Sequence, residues 1–88
     1  MNEKELEKIF KALANKRRIV ILKFLKRKGN ASVGDVANVI KLSLPSTSKH
    51  LMILFNADLV EKEQKSLIVY YFLPKTKNSA VNKLLSIV

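Results

Sequence analysis

Residues Ser43 to Met52 read Ser-Leu-Pro-Ser-Thr-Ser-Lys-His-Leu-Met, a run that gathers four hydroxyls, one full cation and the only histidine of the chain. Small hydroxyls donate to or accept from base edges and phosphate oxygens, and a lysine pairs with phosphate as a point charge. None of this is poised for bond-breaking. The 88 residues hold no cysteine and no glycine-rich phosphate loop, and no motif sets a base beside a nucleophile. Three of the seven carboxylates, Glu3, Glu5 and Glu7, crowd the N-terminus. A lone His50 without thiols or clustered carboxylates is a poor metal ligand, so no metal and no other cofactor is expected, and no enzyme. The chemistry on offer is recognition of a polyanion.

To meet a ligand, that run must be displayed on a rigid element. A helix drawn through it turns Thr47, Leu51, Leu54 and Phe55 inward and Ser46, Lys49 and Ile53 outward, with Pro45, Ser48, His50 and Met52 on the flanks. Ser43 caps it, and Pro45 in the first turn costs nothing because its missing N–H would have no intrahelical partner. Upstream, Ser32 and Asp35 have the spacing of a capping box and open a short third helix with Val33, Val36, Ala37 and Ile40 inside. Ala37 is small enough for the next helix to cross closely, and Lys41-Leu42-Ser43 makes the turn. That is the layout of a helix-turn-helix, whose second helix enters the DNA major groove.

The flanking segments complete the frame. Leu6, Ile9, Phe10 and Leu13 recur at i, i+3, i+4 and i+7 and predict a first helix from about Glu3 to Ala14. Asn15 caps a second helix with Ile19, Val20, Leu22 and Leu25 as its apolar surface. Lys23, Lys26, Arg27 and Lys28 sit in its last turns, where cations favour the helix dipole, and Gly29 ends it. Val60 to Glu63 and Leu67 to Leu73 read as two strands joined around Gln64-Lys65-Ser66, in the place of a wing. The second is apolar on both faces, which predicts two covers: the core, and a last helix from about Lys75 to Ile87 after the break at Pro74. Val81, Leu84, Leu85 and Val88 of that helix match the leftover face of the first, Leu6, Ile9, Phe10 and Leu13, and predict a homodimer joined through both.

Composition agrees with one small domain over residues 1–88, mainly α with a small β-hairpin (α+β): about five helices plus a two- or three-stranded wing. The chain is 48% hydrophobic and 27% charged, with no apolar run long enough to span a bilayer and no apolar signal segment at the N-terminus. No membrane association and a cytoplasmic location are expected. The net charge of +10 calls for a polyanionic partner, double-stranded DNA first. Residues 1–30 carry ten Lys/Arg against three Glu, residues 31–60 two against two acids, and residues 61–88 five against two. The reading unit is itself neutral.

The candidate DNA contacts follow. Lys49 is the one full cation on the outward face, and Ser46 and Ser48 serve either as base or phosphate partners or as ordinary capping hydroxyls. His50 suits a phosphate or backbone hydrogen bond, and Lys41, Ser43 and Pro45 lie at the entrance to the helix. Arg17 and Arg18 open a helix, where N–H groups and cations favour phosphate, although one of them can instead pair with a carboxylate inside the fold. Lys62 and Lys65 of the wing can touch the flanking backbone or merely protect a sheet edge, and Tyr70 and Tyr71 read as packing residues.

At this point the chain resembles the ArsR family of winged-helix repressors over roughly residues 6–73. The resemblance is carried by Phe10 to Asn15, by Arg18 to Leu25, by Ser43 to Leu54 with Ser-Lys-His-Leu at 48–51, by Ala57 to Val60 and by Val69-Tyr70-Tyr71. It implies a homodimeric transcriptional regulator, usually a repressor, that inserts its fourth helix into successive major grooves. There are departures. Lys41 and Asp58 stand where the family often has glycine, Leu44 where a polar base-reading side chain is common, and the short wing has no glycine. Family members that sense metals use a cysteine pair in the third helix or His and acidic ligands on the last; Val33 to Ile40 has no thiol, and Lys75 to Val88 has no His, Asp or Glu. The expectation is a sequence-specific dimeric DNA-binding regulator without a metal switch, its effector, if any, unspecified. The alternatives are a weakly specific architectural DNA-binding protein and a winged-helix module that binds protein.

Overall fold

Side-chain caps set where the helices begin. The structure, a computed structural model, describes residues 1–75 and 79–88. Asn2 accepts from the Glu5 N–H at 2.8 Å and opens α1 (Glu3–Leu13), and Asn15 accepts from the Arg18 N–H at 3.1 Å and opens α2 (Lys16–Lys28). Gly29 ends α2 at φ 96°, a backbone state that side chains rarely adopt, and its N–H donates to the Leu25 carbonyl. A short strand β1 (Asn30–Ser32) follows. Ser32 and Asp35 then form the expected capping box at α3 (Val33–Ile40), each side chain accepting from the other's N–H at 3.2 Å. Ser43 accepts from the Ser46 N–H at 3.3 Å and opens α4 (Leu44–Asn56).

The wing is a sheet of three antiparallel strands in the order β1-β3-β2, with β2 spanning Glu61–Lys65 and β3 Ile68–Phe72. Tyr71 pairs with Ala31 on one side and Lys62 on the other. This corrects the expected double cover of the apolar strand. Both edges of β3 are hydrogen-bonded, but Val69 to Phe72 stay half-buried and Ile68 is exposed, so neither face is sealed within the protomer. Leu67, expected in the strand, lies in the two-residue loop with Ser66 and is 94% exposed. Ser66 has φ 59° and Leu67 does not share the positive sign, the pattern of a type II′ turn.

The core gathers Ile9 and Ala12 of α1, Ile21, Leu22 and Leu25 of α2, Val36 and Ile40 of α3, and Leu51 and Leu54 of α4. In α2 Ile21, Leu22 and Leu25 are fully buried, whereas Ile19 and Val20 are half-exposed: the buried stripe runs through Ile21, Leu22 and Leu25 at i, i+1 and i+4, and Ile19 and Val20 lie to its sides. Ala31, Leu59 and Val60 extend the core toward the sheet. The last helix is described as α5 (Ser79–Ser86), and residues 76–78 of the expected span lie outside the described residues. Lys26 anchors its end: the ammonium donates to the carbonyls of Leu85, Ser86 and Val88 at 3.2–3.5 Å, where a cation suits the dipole.

Candidate nucleic-acid interface

The buried face of α4 determines what its other face can display. Thr47, Leu51 and Leu54 have no exposed surface at all and lock the helix onto the core. Ser46, Ser48 and Lys49 consequently stand exposed, with Pro45 and Ser43 at the entrance. The Ser43 hydroxyl also donates to the Ser46 hydroxyl at 3.1 Å, leaving the Ser46 proton free to turn outward. Leu44 at 57% and Met52 at 60% exposure, with Ile53, make this helix more apolar on its outside than the hydroxyl run alone suggests. Contact with a thymine methyl is the base-edge chemistry such side chains offer.

Lys41 caps α3 in the left-handed conformation, φ 56°, its N–H donating to the Ala37 carbonyl, and the side chain is exposed beside α4. Arg17 is also exposed. Arg18 is turned inward instead, and among the described residues no carboxylate receives it. Its Nε donates to the Ala12 carbonyl at 2.7 Å, Nη2 to the Lys11 carbonyl at 3.0 Å and Nη1 to Nδ1 of His50 at 3.2 Å. His50 is half-buried, and burial first, then the charges of Arg18 and Arg17, hold its pKa below the ordinary 6.5.

The wing lysines are split. Alternation along β2 puts Lys62 on the core-side face with its partner Tyr71, and Lys65 on the opposite face with Glu61 and Glu63. Lys62 Nζ lies 4.5 Å from the centroid of the Phe55 ring. The two lysines therefore do not form one patch.

The residues expected to join two copies also divide. Ile9, Val81 and Leu85 are buried in the protomer's own core. Phe10 remains 53% exposed over a shallow apolar patch with Leu6 and Ala14, and Leu13, Leu84 and Val88 are half-buried. Ile87, absent from the expected set, is exposed at the end of α5. Among the described residues, no three His, Asp or Glu side chains gather closely enough to hold a metal ion, and no helix is long and apolar enough to cross a membrane.

Two helices about the turn at Lys41 to Ser43, followed by the β2–β3 hairpin that β1 extends to a three-stranded sheet, define a winged helix-turn-helix protein. Residues 15–62 match the family described as bacterial regulatory protein, arsR family, and the chain belongs to that family of transcriptional regulators. It is 36% identical over 83 residues to the arsenical resistance operon repressor of Bacillus subtilis, covering 94% of this chain and 76% of that one. Identity is also 36% over 72 residues with the cadmium resistance regulatory protein CadC homolog of Staphylococcus aureus, covering 82% of this chain but only 60% of the relative's length. Among solved structures, a homodimeric winged helix-turn-helix DNA-binding domain from Mycobacterium bovis superposes with a TM-score of 0.81 at 28% identity, covering 96% of this chain and 74% of that one.

Proposed function

We propose that this regulator acts as a homodimer in the cytoplasm, reads a specific DNA sequence with α4 in the major groove, and carries no metal switch. The observation that supports it most is the ridge of Ser46, Ser48 and Lys49 standing clear of a helix whose other side is fully buried. The major groove admits an α-helix, and short outer side chains such as these serines let the helix backbone come close to the base edges. The relatives named for cadmium and arsenicals do not extend their ligands to this chain, which has no cysteine and one histidine. Repression is the mode suggested by the Bacillus subtilis relative.

The test is a titration with duplexes selected by the protein from a random pool, at several salt concentrations. If each protomer neutralises three or four phosphates, the dimer's log–log salt slope is roughly −5 to −7. Half-sites lie about one helical turn apart. A flat salt response overturns the reading. Exposed Leu44 and Met52 favour a second reading, a weakly specific DNA coater. Preference for the selected duplex over random duplex by less than about a thousandfold would support it.

A further inference from the structure

We infer that Arg18 is a positioning residue for the reading helix, holding His50 as the Nε2–H tautomer so that this N–H is the donor α4 offers to a DNA phosphate. The inference rests on the proposed placement of α4 against DNA. It begins from a constraint on protons. A guanidinium only donates and stays charged at any ordinary pH, so the 3.2 Å contact from Arg18 Nη1 requires Nδ1 of His50 to accept. The neutral ring then carries its proton on Nε2, and no described residue takes that N–H. The same guanidinium is clamped by the carbonyls of Lys11 and Ala12 at the end of α1, so the ring is oriented from outside its own helix. His50 lies next to exposed Lys49 on α4, the residue proposed to meet the DNA backbone. Arg18 thus acts on DNA through the imidazole rather than as a phosphate ligand itself.

Nitrogen-15 NMR of the ring is free of overlap because the chain has one histidine. The free wild-type protein at neutral pH shows Nδ1 as the bare acceptor and Nε2 protonated, and Arg18→Met releases the ring to a mixture of tautomers. A proton found on Nδ1 in the wild type overturns the inference. On a duplex selected by the wild type from a random pool, Arg18→Met and His50→Ala each weaken binding about tenfold. The double variant is no weaker than the worse single one, because both remove the same donor. Losses that multiply to about a hundredfold mean that Arg18 acts independently and overturn the inference. Should Arg18→Met fail to fold, His50→Asn decides: it keeps an acceptor near Nδ1 without the distal donor, so it binds as weakly as His50→Ala, and wild-type affinity overturns the inference. A pool that yields no bound duplex overturns the DNA reading itself, while the tautomer measured on free protein separately tests the hold of Arg18 on His50.

Discussion

The ammonium of Lys62 sits over the ring of Phe55, 4.5 Å from its centroid, and fastens the first long strand of the wing to the last turn of α4. At an exposed site such a contact contributes about 0.5–1 kcal/mol. It gives Lys62 a place within the protomer that Lys49 lacks. Lys49→Ala is therefore expected to flatten the log–log salt dependence of DNA binding by about one unit per protomer, and Lys62→Ala by clearly less while lowering stability slightly. Anisotropy titrations over a salt series, with urea melts alongside, compare the two. Equal slopes for both variants would contradict the distinction.

Lys41 and Asp58 both hold positive φ, 56° and 59°. A side chain in this region crowds its own backbone by roughly 1–2 kcal/mol, partly offset on substitution because glycine loses more entropy on folding. Lys41→Gly is expected to stabilise the fold by about 0.5–1 kcal/mol. Asp58→Gly gains less, since aspartate tolerates the left-handed region better. Urea midpoints at constant slope measure both.

Thr47 is wholly buried in α4, and among the described residues its hydroxyl has no hydrogen-bond partner. Valine fills nearly the same shape without an unsatisfied oxygen, so Thr47→Val is expected to raise stability by about 1 kcal/mol. A fall in the urea midpoint would show that the hydroxyl is satisfied in solution.

Phe10 leaves an exposed ring over the apolar patch on α1, and a carboxylate there would repel its copy across a two-fold axis. Phe10→Glu is expected to convert dimer to monomer in sedimentation without unfolding the protomer, and to weaken DNA binding by at least about tenfold through loss of the second half-site. An unchanged dimer would exclude this face.

His50 sets an acid limit. Its folded pKa is depressed below 6.5 by burial and by Arg18 and Arg17 of α2, while Lys8 and Lys11 of α1 line the hollow beside Arg18 and add no counter-charge. The unfolded chain therefore binds the proton more readily. The contribution to stability is present above about pH 6.5 and is lost as pH falls from there through the folded value. Thermal melts of the wild type should fall over that window more steeply than those of His50→Gln. Parallel curves would remove His50 as the cause.

Much of the reading unit was legible because its signals are local. The caps at Asn15, Ser32 and Ser43 act within one turn, and the 3.6-residue period alone separated buried Thr47, Leu51 and Leu54 from exposed Ser46 and Lys49. Three-residue β1 was not legible: Asn30-Ala31-Ser32 has no strand pattern of its own and pairs only because the fold brings Phe72 to Tyr70 alongside. Nor could spacing show that Ile9, Val81 and Leu85 would be consumed by the protomer's own core, since an apolar face does not state which surface will cover it. Arg18 and His50 make the same point, standing 32 positions apart. Local propensity and periodicity determine which side of an element turns away from water, whereas the partner of each side chain is settled only when distant segments compete for the same space.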